Sequence, residues 1–200
     1  KDNLVDNIED DVPIEKEELE DIYLAVQTIE RRSQGLIRFV SDFRNLTKIP
    51  QPKVATESVA KVLEHIQVLF NHELAAKKIK ISFSIEPINL AFSIDKELID
   101  QVLINILQNA VHALEENTEE KHIIVRAFVN EYNRPTIVIR DNGCGIDEEA
   151  LSKIFIPFFT TKKQGSGIGL SLSKQIMRKH GGGITVNHKN SSRQNRHSIH

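Results

Sequence analysis

The sequence contains a single cysteine among its 200 residues, which excludes a disulfide framework within the chain and fits a reducing compartment. It has no apolar run of the ~18 residues that a membrane-spanning helix needs, and no signal peptide opens it. An excess of basic charge is also absent: the formal net charge is -2, which argues against nucleic acid as a general electrostatic partner. With 40% hydrophobic residues, the chain can form one good core plus an appendage, and we expect it to be soluble.

The most informative segment is the glycine-rich stretch 158–170, FFTTKKQGSGIGL, which leads into an amphipathic helix predicted from Gly167 to His180. Its alternating glycines let backbone amides approach an anion closely. The helix start adds unpaired N–H groups and the positive end of the helix dipole. The segment is not a Walker A loop, because the terminal Gly-Lys-Ser/Thr is missing, and it is not a dinucleotide fingerprint, because no apolar strand precedes it. It predicts a site for a phosphate chain.

A second motif, NILQNA at 105–110, lies in a helix predicted from Lys96 to about Leu114, with Asp95 as its N-cap. The spacing places Asn105 and Asn109 on one face, together with apolar residues. Asparagines on an apolar stripe are costly unless they are hydrogen-bonded, so this face either binds something or is satisfied locally at an edge.

A third motif, DNGCGI at 141–146, follows a predicted hairpin of strands 123–129 and 136–140. Read alone, it is either a tight turn that ends a strand or a place where a ligand approaches the backbone at Gly143 and Gly145. We assign no chemistry to Cys144.

Together with FIPFF at 155–159, these motifs resemble, in order and spacing, the N, G1, F and G2 boxes of the ATP-binding domain of sensor histidine kinases, which share the Bergerat nucleotide fold. The resemblance covers about residues 53–188. It implies an α+β fold, specifically a two-layer α/β sandwich. It also implies a kinase that uses ATP and Mg²⁺ and transfers the γ-phosphoryl group to a histidine. The phosphoryl group would then pass to the receiver domain of a response regulator.

The resemblance also assigns roles to individual residues. Asn109 is the magnesium ligand, and Asn105 lies one turn earlier in the same catalytic pocket. Asp141 accepts a hydrogen bond from the exocyclic amine of adenine, a donor that guanine lacks at the corresponding atom. The other implied nucleotide contacts are His112, Gly143, Gly145, Ile146, Phe158, Thr161, Lys162, Gly165, Ser166, Gly167, Ile168, Gly169 and Leu170.

Some of these assignments have plain alternatives. His112 either contacts phosphate or is an exposed histidine without a ligand. Residues 147–165 fit a mobile lid, in which Lys162 either neutralises phosphate or is solvated and the phenylalanines either line the nucleotide site or belong to the core.

Asn105 separates two readings of the same fold. In hydrolytic relatives, such as the gyrase, mismatch-repair and chaperone ATPases, the matching position carries a glutamate that activates water. An amide cannot serve as a general base, so we expect slow hydrolysis and phosphoryl transfer to an imidazole. A hydrolytic or serine-phosphorylating relative and a nucleotide-free interaction module stay open as alternatives.

The N-terminal part of the chain carries a different pattern. Residues 1–13 form an acidic segment that we expect to be loose. In residues 14–52, a heptad seam then steps by threes and fours until Pro50 and Pro52: Leu19, Ile22, Val26, Ile29, Ser33, Leu36, Val40 and Phe43. This pattern is similar to the second helix of the dimerisation and phosphotransfer hairpin of sensor kinases, particularly of the nitrogen-regulation type. It implies a homodimer and an acceptor histidine that precedes Lys1.

Two further segments contain histidines outside these motifs. His72 starts an acceptor-like His-Glu-Leu, but it ends a shorter amphipathic helix, so we interpret it as a solvated histidine. Residues 189–200 form a polar tail where the family has a final apolar strand, which puts the completeness of the sheet in doubt. His188, His197 and His200 could form a metal site, but the composition of this segment fits a polar tail better. We expect the catalytic domain at 53–188 to lie in the cytoplasm, either in a cytoplasmic protein or as the cytosolic part of an inner-membrane sensor.

Overall fold

The computed structural model describes residues 16–115, 120–162, 165–189 and 194–199. The chain divides into two units, Lys1–Arg44 and Asn45–His200. The expected loose segment 1–13 lies outside the described residues.

The described residues of the first unit lie in helix α1, Lys16–Thr47, which confirms the long helix predicted from the heptad seam. Its apolar stripe is exposed in the single chain, where Ile29 and Leu36 retain 65% and 64% of their accessible surface. A helix does not keep such a stripe in water without a partner, so α1 is built to pack against other helices.

The second unit is a sheet covered by helices, as the α+β sandwich predicted. Its elements in chain order are β1 (Ala55–Ser58), α2 (Val59–Ala76), β2 (Ile79–Glu86), β3 (Ala91–Ile94), α3 (Lys96–Ala113), β4 (Lys121–Val129), β5 (Pro135–Asp141), α4 (Glu148–Leu151), α5 (Gly169–Lys179), β6 (Ile184–Lys189) and β7 (Gln194–Ile199). Strands β1 and β3 form a separate antiparallel pair, and the main sheet has the order β2-β4-β5-β7-β6. Only β2 and β4 in this sheet pair in parallel.

One core joins the sheet to helices α2, α3 and α5. The middle strands alternate, so that Ile123 and Val125 on β4 and Ile137 and Ile139 on β5 are buried on the helical side. Helix α3 lies between α2 and α5 and is buried along most of its length. The apolar face of α2 continues to its last turn, where Leu74 is buried, whereas Leu69 is exposed.

The C-terminal segment differs from the polar tail that the sequence predicts. Residues 194–199 form β7, which lies between β5 and β6 and gives the sheet five strands. The prediction weighed side-chain polarity, whereas a strand is held in a sheet by backbone N–H and C=O groups.

None of the helices in the described ranges is both long enough and apolar enough to cross a membrane.

Candidate nucleotide-binding site

Asn105 lies where α3 meets the first turns of α5. Its Nδ2 donates to Ser173 Oγ at 3.0 Å, and its Oδ1 lies at the first residue of α5, Gly169. A Cβ atom added to Gly169 would lie 1.9 Å from that oxygen, so any other residue here would force the Asn105 amide to move. The third glycine of the loop therefore makes room for the amide of the helix opposite.

Asn109, one turn later on α3, contacts the loop from the other direction. Its Oδ1 accepts a 2.6 Å hydrogen bond from Lys162 Nζ. Desolvation lowers the pKa of the Lys162 ammonium, while the negative charge of Glu115 partly opposes that shift. The oxygen of Asn109 is therefore already in contact with a cation.

Asp141 ends β5 as a buried carboxylate with only 1% of its surface accessible. Its Oδ1 accepts from the N–H of Gly143 at 2.9 Å, which closes the turn after the strand. A Cβ at Gly143 would lie 2.4 Å from the carbonyl oxygen of Ala113, and Cys144 N donates to that same oxygen at 3.0 Å. The turn is thus fixed against the C-terminal end of α3, and Asp141 is fixed beneath it.

The glycine loop folds back on the phenylalanine-rich segment. Phe158 N donates to Gly167 O at 2.9 Å, and both residues have positive φ angles, 67° and 69°. A Cβ at Gly167 would lie 2.5 Å from the Phe158 carbonyl carbon. Helix α5 then begins without a side-chain cap, which leaves its first N–H groups without that usual partner.

Residues 94–199 match the model of the family described as histidine kinase-, DNA gyrase B-, and HSP90-like ATPase. The chain belongs to this ATPase family. The match spans more than half of the chain and includes every element that contributes to the site.

Within the ATPase family, the chain is similar to sensor histidine kinases. The chain is 30% identical over 160 residues to the sensor histidine kinase ZraS of Salmonella typhimurium, covering 80% of the chain and 34% of ZraS. It is 29% identical over 163 residues to the nitrogen regulation protein NtrY of Azorhizobium caulinodans, covering 80% of the chain and 21% of NtrY. The chain spans at most about a third of the length of these relatives.

Solved structures of histidine kinases are also similar to this chain. The catalytic domain of histidine kinase ThkA superposes with a TM-score of 0.64 at 31% identity, covering 74% of this chain and 95% of that domain. In its complex with the response regulator protein TrrA, ThkA superposes with a TM-score of 0.68 at 26% identity over 94% of this chain and 52% of ThkA. The chain therefore carries the ATP-binding catalytic domain of a histidine kinase, as the four boxes predicted.

The Asn109 side chain is chemically suited to a hard cation. Asn109 Oδ1 is a neutral, hard oxygen donor that here contacts an ammonium, and magnesium prefers such oxygen ligands. In the described part of the chain, no cluster of three or more His, Cys, Asp or Glu side chains could hold a metal ion.

The structure brings together several predicted site residues but not all of them. Contacts join Asn105 to Gly169, Asn109 to Lys162, Asp141 to Gly143 and Phe158 to Gly167. His112 is exposed, and its Nδ1 lies 2.6 Å from the backbone oxygen of Gln108 on its own helix. The remaining predicted contact residues lie along the same turn and loop: Gly145, Ile146, Thr161, Gly165, Ser166, Ile168 and Leu170.

Sequence reasoning missed two contributors. Ser173 holds the amide of Asn105, and Ala113 contributes the carbonyl that fixes the turn at Gly143. Neither belongs to a motif. Only the spacing of Ser173, four residues after Gly169 on α5, gives a signal, because residues four apart lie on one face of a helix.

Proposed function

We propose that this chain transfers the γ-phosphoryl group of ATP to a histidine on a helical hairpin of which α1 is the second helix. The observation that carries the proposal is that both asparagines of α3 contact the segment around the glycine loop, Asn105 at Gly169 and Asn109 at Lys162. A triphosphate at the start of α5 would then lie beside an oxygen ligand for a metal and beside a lysine.

Each residue has a definite task in this reaction. Asp141 accepts from the adenine amine, and Gly143 and Gly145 admit the base to the backbone. The N–H groups at the start of α5 bind phosphate oxygens, and Lys162 adds positive charge. Magnesium would be held by Asn109, with phosphate oxygens and water as its other ligands, and would neutralise phosphate charge.

The chemical step needs little more than positioning. An imidazole nitrogen of the acceptor attacks the γ-phosphorus, the bond to the bridging oxygen breaks, and its electron pair leaves with ADP. The amide of Asn105 cannot take a proton from water, which disfavours hydrolysis as the main activity. This favours a kinase over the hydrolytic alternative.

The wider assignment extends to the whole protein. The exposed stripe of α1 supports a homodimer formed through the hairpin, and the solved complex of ThkA with TrrA supports a response regulator as the phosphoryl recipient. We place the domain in the cytoplasm, where ATP and such partners are found.

Calorimetric titration with ATP and GTP, with and without Mg²⁺, tests the nucleotide site. Wild type should bind ATP in preference to GTP. Asp141→Asn keeps an oxygen that can accept from Gly143 N, but its amide group is a donor, so it should lose the preference for ATP. Asp147→Asn is the matched control, since Asp147 lies nearby and makes no capping bond to α4. Equal binding of both nucleotides by wild type, or unchanged ATP affinity in Asp141→Asn, would refute the assignment.

A further inference from the structure

Ser173 lies on α5 in direct contact with the first asparagine of the site. Its Oγ accepts from Asn105 Nδ2 at 3.0 Å, and the serine is 2% exposed. We propose that Ser173 is a positioning residue that orients the Asn105 amide, with its oxygen toward the start of α5 and its nitrogen away from it. This inference rests on the proposed function, in which the start of α5 receives the phosphates.

The orientation follows from the two contacts of the amide with α5. Asn105 Oδ1 lies at Gly169, the first residue of α5, and Nδ2 lies at Ser173, one turn further along. The two ends of an amide are of similar size but opposite in hydrogen-bonding character. Shape alone therefore does not choose between the two orientations, and a hydrogen-bonding partner must.

Ser173 provides that choice. A helical serine hydroxyl can donate to the backbone carbonyl one turn earlier, and its oxygen is then left to accept from the NH₂ group of the amide. The absence of a side chain at Gly169 accommodates the oxygen end. The NH₂ group is thereby directed away from the loop, and an acceptor oxygen faces the start of α5, where water held by magnesium would donate to it.

The opposite orientation would remove this acceptor. An NH₂ group at the start of α5 would direct hydrogens toward the water ligands of magnesium, which donate hydrogen bonds and cannot accept one through an oxygen that is already bound to the metal. Loss of Ser173 should therefore weaken the magnesium-dependent part of ATP binding and leave the rest unchanged.

Ser171 is a matched control on the same helix. It is also buried, at 3% exposure, but its hydroxyl donates to the backbone oxygen of Ile168 at 2.7 Å and not to Asn105. Ser171→Ala and Ser173→Ala thus remove the same group from the same helix, and only Ser173→Ala alters the contact with Asn105.

Two quantities are measured on the whole chain and on its serine variants. The first is the side-chain NH₂ signal of Asn105 in ¹⁵N spectra without nucleotide, identified by its absence from Asn105→Asp. The second is the ratio of ATP dissociation constants without and with Mg²⁺. In Ser173→Ala the NH₂ signal should shift, and the ratio should fall about fivefold, as expected for one neutral hydrogen bond. Ser171→Ala should change neither.

The results separate the positioning role of Ser173 from the proposed function. An unmoved NH₂ signal in Ser173→Ala, or a moved signal with an unchanged ratio, overturns the positioning role. If Ser173→Ala is unfolded, Ser173→Cys replaces it, since sulfur keeps the shape and accepts only weakly, and the same two changes are expected. Absence of ATP binding by wild type overturns the proposed function and with it the inference, whereas the NH₂ signal shows separately whether Ser173 holds the amide.

Discussion

Lys162 and Asn109 are 53 residues apart in the sequence, and a 2.6 Å hydrogen bond joins the ammonium of the first to the amide oxygen of the second. The lysine follows the phenylalanine-rich segment, and the asparagine lies on the central helix α3. The bond therefore ties the loop over the proposed nucleotide site to its floor. It also places a positive charge on the oxygen to which we assign magnesium, so ATP and the metal must share this position with Lys162 or displace it.

Lys162→Met tests the contribution of that charge. We expect the affinity for ATP with Mg²⁺ to fall about tenfold, because charge-assisted hydrogen bonds to charged groups contribute about 1.5 kcal/mol or more. Calorimetric titration measures the change. Lys153→Met is the control, since Lys153 pairs with Glu149 outside the site. Equal losses in both variants would point to a general effect of charge and remove the specific role of Lys162.

Asn109→Ala tests the metal ligand itself. The variant should lose most of the gain in ATP affinity that Mg²⁺ gives, while the affinity measured in the presence of a chelator should change little, because the adenine contacts stay intact. Gln108→Ala is the neighbouring control on α3, where the exposed side chain leaves the site untouched. Full magnesium dependence in Asn109→Ala would contradict the assignment.

Local features of the site could be predicted from the sequence because local rules determine them. The period of α3 put Asn105 and Asn109 on one face, Asp95 was predicted as the N-cap and accepts from Leu98 N at 3.2 Å, and Asp141 was placed at the end of a strand. Each of these inferences uses residues within about two turns of one another.

Contacts between distant segments could not be predicted in this way. The placement of β7 between β5 and β6 and the parallel pairing of β2 with β4 depend on which backbones meet in the folded chain. The bond between Asn105 and Ser173 joins residues 68 apart, and no motif marks that serine. The glycine at 169 was attributed to phosphate approach, whereas the structure adds a second reason, the amide packed against it.

The lowered pKa of Asp95 predicts that the free energy of unfolding depends on pH. The backbone N–H of Lys53 at 2.7 Å is the main cause that holds the pKa of Asp95 below its ordinary value; burial opposes it, and the N–H of Leu98 and the nearby His180 add to the lowering. A carboxyl with a lowered folded pKa stabilises the fold above its unfolded pKa of about 3.9, and this stabilisation is lost as the pH falls through the folded value.

Asp95→Ala should therefore cost about 1 kcal/mol of unfolding free energy at pH 7, the usual value of an N-cap, and the difference from wild type should shrink in acid. Urea unfolding at pH 7, 4 and 3 measures it. Asp147→Ala, whose side chain makes no capping bond, should show no such trend. A constant difference at all three values would mean that the carboxylate charge is not involved.

The exposed stripe of α1 predicts dimers. In a protein extended beyond Lys1 to include the first helix of the hairpin, Ile29→Lys should give monomers, because a charge in a helix–helix seam remains unpaired and desolvated. Light scattering measures the mass. Gln27→Lys, which lies off the stripe, should stay dimeric. A monomeric wild type would contradict the assignment of α1 to the hairpin.

Asn105→Asp tests why the site favours transfer over hydrolysis. The change replaces an amide by a carboxylate of the same shape, so packing against Gly169 is kept. A carboxylate at this place can accept a proton from water, so hydrolysis of ATP should rise about tenfold or more, below the full range of a well-placed general base. Release of inorganic phosphate by this chain alone measures the rate of hydrolysis. Asn105→Ala separates the two possible causes: if it raises hydrolysis as much as Asn105→Asp does, the amide acts by excluding water, and if only Asn105→Asp does so, the missing base is what keeps the wild-type rate low.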